Sequence, residues 1–159
     1  MKTVITAAVV LAALVTLVNV AINLTGMHEN PLVFGPGFIV IAALLNLAAV
    51  FWALKANAGE AGYGRQLGNG ALIGVIAGAL IFLSAFVLLT YVFPDSLAEM
   101  TAGTLEFLEG AGQPQEAIDK QAAAMEQMTP VTQAMGGTIG TFFTSLLGAA
   151  IMGIFLRKK

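Results

Sequence analysis

The sequence predicts an all-α integral membrane bundle of four transmembrane helices, N-in and C-in, with an acidic amphipathic helical segment outside between spans 3 and 4. Three observations predict it. Apolar residues make up 58% of the chain and charged ones only 10%, with a mean hydropathy of +0.87, against roughly 45–50% and about 25% in soluble domains. Four apolar runs, at about 3–24, 33–54, 67–93 and 132–156, each reach the roughly 20 residues that carry a helix across about 30 Å of hydrocarbon. None alternates as a barrel strand would, so the backbone groups must be paired inside helices. The charges are sorted as well. Lys2, Lys55, Arg65, Arg157, Lys158 and Lys159 flank the runs on one side. Glu29, Asp95, Glu99, Glu106, Glu109, Glu116, Asp119 and Glu126 lie in the loops of the other side, with Lys120 the one basic residue there. Lys and Arg are retained on the cytoplasmic side, so both termini are expected there, in a bacterial inner membrane.

The first run follows Met1-Lys2 and is longer than the 7–15 apolar residues of a secretory signal. It is expected to stay as an uncleaved signal anchor. The short turn Thr25–Leu32 makes spans 1 and 2 antiparallel neighbours. Pro31 and Pro36 stand where the second span starts, a place that tolerates a missing N–H. The stretch from Lys55 to Gln66 holds Gly59, Gly62 and Gly64 and reads as a flexible inside loop, with Tyr63 and Arg65 as headgroup anchors. The long segment 94–130 is expected outside. Leu97, Met100, Thr104, Phe107 and Leu108 repeat at helical spacing, and Ile118, Ala122, Met125 and Met128 do so again beyond the Gly110–Pro114 break. Two short amphipathic helices across the outer mouth are expected, the second with Pro114 at its first position. One membrane domain, 1–159, accounts for the chain.

Several function classes are excluded or weakened. The basic residues are scattered as anchors, so no nucleic-acid patch exists. With no Cys, thiolate and Fe–S chemistry have no ligands. No Asp, Glu, Lys, Arg or His falls inside the four runs, which removes the usual means of intramembrane proton or ion relay. No catalytic, cofactor or metal site is expected. The one histidine, His28, sits beside Glu29 in a loop and reads as a solvated side chain, with a metal ligand as the alternative. Motifs for hydrolases, phosphate loops, zinc proteases or dinucleotides are missing, and Trp52, Tyr63, Tyr91, Phe93 and Phe107 read as an interfacial belt.

The spans do carry Asn19, Asn23 and Asn46, with Ser84 and Thr90. Asn19 and Asn23 share a helix face that should point into the bundle, because an amide facing lipid lacks partners. Asn46 is their expected partner by depth. Polar glue and a substrate-facing site are the two readings of this trio. Small residues form ridges. Gly70, Gly74 and Gly78 line the third span, and two ridges run along the fourth: Gly136, Gly140, Thr144 and Gly148, beside Gly137, Thr141, Ser145, Ala149 and Gly153. Such ridges let helices approach closely in lipid. Two on one helix predict internal packing plus a face for a partner subunit or a second copy.

The layout resembles a family of small bacterial four-span membrane proteins, domain of unknown function 4199. The similar features are the Met1-Lys2 start, the glycine-containing basic loop from Lys55 to Gly68 and the Pro94-Asp95 stop. To these are added the Glu116–Met128 pattern E-x-x-x-x-x-x-A-x-M-E-x-M, Pro130 before the last span, and Thr-Phe-Phe-x-Ser-Leu at Thr141–Leu146 leading to a basic tail. The resemblance implies the topology and no activity. The leading functional expectation is therefore a non-enzymatic accessory or scaffold subunit contacting membrane lipids and other subunits or itself. The alternative is an oligomeric small-solute or cation channel, with the three asparagines along a neutral path.

Overall fold

A helix in hydrocarbon satisfies its own backbone, so what remains to be decided is which helices touch and through which side chains. The computed structural model describes residues 1–158, and Lys159 of the basic tail lies outside them. The four long apolar segments are α1 (Lys2–Leu24), α2 (Phe38–Lys55), α3 (Tyr63–Val87) and α6 (Pro130–Leu156). Two shorter helices, α4 (Ser96–Gly110) and α5 (Gln115–Glu126), fill the long connection between α3 and α6. With their wound extensions, the segments Lys2–Leu24, Val33–Lys55, Tyr63–Val92 and Pro130–Leu156 are long and apolar enough to cross a membrane. The protein is a multi-pass, all-α membrane protein.

Local chemistry sets the ends of these elements. Pro36 cannot donate a backbone hydrogen bond, and the chain accommodates it in a wide π-type turn, Val33–Gly37, that leads into α2. A second π-type turn, Leu88–Val92, closes α3 with Phe93 N donating to Leu88 O at 2.7 Å, immediately before Pro94. Thr129 caps α6 reciprocally. Its hydroxyl accepts from Thr132 N at 3.1 Å and Thr132 Oγ1 accepts from Thr129 N at 2.8 Å, with Pro130 at the first helical position. Pro114 stands one place earlier than expected, as the residue before α5, with extended backbone.

The helices form a ring in the order α1, α2, α6, α3, each touching the two beside it, with α3 against α6 the most extensive contact. Small residues carry that contact. A Cβ at Gly70 would fall on Ala149 Cβ, one at Gly74 would lie 3.0 Å from Phe142 Cα, and one at Gly78 would lie 3.2 Å from Thr138 Cγ2. Ala7, Ala8, Leu11 and Val15 of α1, Val50, Ala53 and Leu54 of α2, and Ile73, Ala77 and Ile81 of α3 complete the buried core.

Span 3 begins at Tyr63 instead of Leu67, because Gln66 is not a loop residue. It is fully buried, and its Nε2 donates to Leu54 O at 3.3 Å and to Leu156 O at 3.2 Å. Both are late carbonyls, near the C-termini of α2 and α6, which helices leave without internal partners. Tyr63 Oη adds a bond to Ala150 O at 3.4 Å, and Lys158 N donates to Ala61 O at 2.9 Å, so this basic end is tightly closed.

At the other end, α4 and α5 lie with the α1–α2 turn. Met100, Ile118 and Met125 are buried, while Glu99, Glu106, Glu109, Glu116, Asp119 and Glu126 are exposed. Replacing Gly70 by Ala is expected to destabilise the α3–α6 contact by about 1–3 kcal/mol through overpacking. Ala149→Gly in the same chain should restore part of that loss in detergent melting curves. Additive losses in the double variant would rule out this contact as the cause.

Candidate functional site

Each intramembrane amide finds a different use. Asn46 is buried. Its Nδ2 donates to Thr141 O at 3.0 Å, and its Oδ1 accepts from Ser145 Oγ at 2.9 Å. The expected partnership of Asn46 with Asn19 and Asn23 is therefore corrected, since α2 turns this face to α6 and away from α1. Asn23 instead donates from Nδ2 to Asn19 O at 2.9 Å and to Asn19 Oδ1 at 3.1 Å, while its own Oδ1 accepts from Ser96 Oγ at 2.6 Å. That last bond ties the first turn of α4 to the end of α1. Between α1 and α3, Thr16 Oγ1 and Ser84 Oγ lie 2.8 Å apart.

The small-residue ridges separate into used and unused positions. Gly70, Gly74 and Gly78 are spent on α6. Gly148 faces α2, where a Cβ would lie 2.8 Å from Leu47 Cδ2, and Gly153 faces Gln66 Cβ at 3.3 Å. Gly136 and Gly140 differ. Both are exposed, and a Cβ on either would meet nothing within 4 Å. Together with Thr144 they open onto a cavity of about 650 Å³ between α2 and α6, in the half of the bundle under α4 and α5. Part of the ridge read as a face for a partner subunit or a second copy thus forms one wall of a cleft.

Phe34, Phe38 and Ala42 face that wall from the α2 side, and Ser84, Ala85 and Leu88 contribute from α3. Asn19, Asn46 and Thr141 put neutral polar groups along the interior. Met100, Met125 and Met128 form much of the roof, flexible side chains that adapt to varied apolar shapes. Among the described residues, no Asp, Glu, Lys, Arg or His borders the cavity. The arrangement can therefore hold an apolar body and meet a neutral hydrogen-bonding group.

His28 was expected in solvent and is not. It is 5% exposed, with Nε2 2.7 Å from Glu99 Oε2, because α4 lands on the tight turn Met27–Glu29. The cavity and this contact both depend on side chains brought together from distant elements. Sequence spacing could not have paired them, although the unoccupied glycines of α6 were visible as a motif.

A family model described as Protein of unknown function (DUF4199) matches residues 4–158, nearly the whole chain, and the chain belongs to that family. Neither a curated protein nor a solved structure matches it. Asn46→Ala leaves the Ser145 hydroxyl without its acceptor and is expected to cost about 0.6–2 kcal/mol, the range for interhelical polar contacts in membranes. Thermal melting in detergent checks this, and a melting temperature equal to that of the parent protein would discount the Asn46–Ser145 bond as a helix tie.

Proposed function

We propose that this DUF4199 protein is a non-enzymatic component of a bacterial inner membrane, with both termini cytoplasmic, that works by binding an uncharged, lipid-like molecule in the cavity between α2 and α6. The observation that carries the reading is the cavity's lining. About 650 Å³ of space without a single bordering charge lies within the 300–1,000 Å³ of small-molecule sites and suits a neutral, mostly apolar occupant. Glycine supports it further. A helix interior loses roughly 0.8–1 kcal/mol at each Gly relative to Ala, a loss that close packing offsets at Gly70 but that no intramolecular contact offsets at Gly136 and Gly140. The orientation rests on the sorting of basic and acidic residues.

A second reading, an accessory or scaffold subunit, is favoured by the same two uncovered glycines, which a helix of another subunit or of a second copy could approach. The channel reading has less support. Leu11, Val50, Leu54, Gln66 and Ile73 are all fully buried in the half away from the cavity, so a channel's path would have to run between copies of the chain, as the oligomeric reading supposes.

Two substitutions separate the first two readings when the protein is purified from its native membrane in mild detergent. Gly140→Leu fills the cleft from α6, and Ala85→Phe fills it from α3. Native mass spectrometry and solvent extraction are expected to find an uncharged molecule on the parent chain, with occupancy reduced about tenfold or more in both variants, a change of at least about 1.4 kcal/mol. A co-purifying protein lost in Gly140→Leu and retained in Ala85→Phe would instead make the protein a subunit. An unoccupied parent chain without a partner removes both readings.

A further inference from the structure

Two carboxylates meet where α4 lands on the turn between α1 and α2. Gly26, at φ +71°, turns the chain out of α1 and sets His28 and Glu29 into a tight turn. Gly103 lets α4 settle directly on that turn, since a Cβ there would fall on the Glu29 carbonyl oxygen. Glu99 precedes Gly103 by one helical turn and so shares its face. The result is a cluster in which His28, Glu29 and Glu99 each offer a ligand atom, all within 4.8 Å of one another.

The charge of this cluster is not balanced. Among the described residues the His28–Glu99 contact is the one ion pair, and no Lys or Arg reaches either carboxylate. Even a protonated His28 would balance one of the two negative charges. His28 is more than nine-tenths buried and aims Nε2 at Glu99, while its Nδ1 is buried with no partner. Nε2 is therefore the nitrogen directed into the cluster and the one an ion there would take, whereas Nδ1, on a diverging axis of the ring, lies outside it.

We propose that His28, Glu29 and Glu99 hold one divalent transition-metal cation of the zinc or manganese type. Imidazole nitrogen with carboxylate oxygen is a donor set that suits such ions, and a double positive charge balances two carboxylates beside a neutral imidazole. Ligand atoms around a tetrahedral zinc stand roughly 3.4 Å apart, given bonds of about 2.0–2.2 Å. The buried histidine supplies the fixed ligand, and the exposed Glu29 and Glu99 side chains close the remaining distance. An open groove bordered by Asn30, Glu106 and Phe107 reaches the cluster at Glu29. The bound ion would join α4 to the α1–α2 turn and so fasten one side of the roof over the cavity. This inference does not depend on what the cavity holds.

The test uses the full chain in detergent, stripped with a chelator and titrated by calorimetry with zinc chloride and, separately, manganese chloride. Saturable binding of one ion per chain is expected. Glu99→Gln keeps an oxygen acceptor for His28 and removes the charge, so it should weaken binding about tenfold or more, as should the exposed Glu29→Gln. Glu109→Gln, outside the cluster, should bind as the parent does. Hydrogen exchange in Ser96–Gly110 should slow when the ion binds to the parent chain and stay unchanged in Glu99→Gln. If neither salt gives one-to-one binding, or if Glu29→Gln and Glu99→Gln bind like the parent, His28 and Glu99 are a hydrogen-bonded pair only and the proposal fails.

Discussion

In lipid an apolar side chain gains little by leaving its surroundings for another helix, so a bundle of such helices is held by how closely their backbones approach. Here the closest approach is between α3 and α6, where Gly70, Gly74 and Gly78 receive Ala149, Phe142 and Thr138. Much of the remaining architecture follows from that contact. It fixes the rotation of α6 about its own axis, which sets Ser145 and the Thr141 carbonyl where Asn46 of α2 can bond them. The same rotation turns Gly148 to Leu47 and leaves Gly136 and Gly140 facing the cleft.

The two halves of the bundle consequently differ. Toward the basic end, small residues, fully buried aliphatic side chains and Gln66 fill the interior. Toward α4 and α5 the interior holds amides, hydroxyls and the cavity, and its roof consists of short helices whose buried faces are largely methionine and isoleucine. Close packing is a source of both stability and rigidity, so structural firmness concentrates at one end and adaptability at the other. The polar ties of the adaptable end include Ser96 to Asn23, His28 to Glu99, Thr16 to Ser84 and Asn46 to Thr141.

The spans were legible because hydrophobic length is a local property, and each of the four runs corresponds to one long helix. The periodicity of the segment 94–130 likewise corresponds to two helices, Ser96–Gly110 and Gln115–Glu126. The start of α3 was not legible, since Tyr63, Gly64, Arg65 and Gln66 look like loop residues until α2 and α6 are placed beside them. Partner choice was not legible either. Asn46 lies at a depth that suits α1 equally well, and only the rotation of α2, which turns Asn46 to Thr141 and Ser145, assigns it to α6. Gly136, Gly140, Gly148 and Gly153 carry similar sequence signals, yet the neighbouring helices decide which of them are covered. The burial of His28 is the most distant consequence, as it depends on Gly103 admitting α4 to the turn.

Gln66 reaches the late carbonyls of α2 and α6 with a single amide nitrogen. It therefore acts mechanically as the rivet of a pair of tongs. The two helices that flank the cleft are joined at that end by Gln66 and again midway by the bonds of Asn46 to Thr141 and Ser145, so any widening of the cleft must pivot about these ties or break the nearer one. Movement at the joint is small, while at the far end, where the jaws are Phe34 and Gly136, the same angular change is multiplied by the length of the arms.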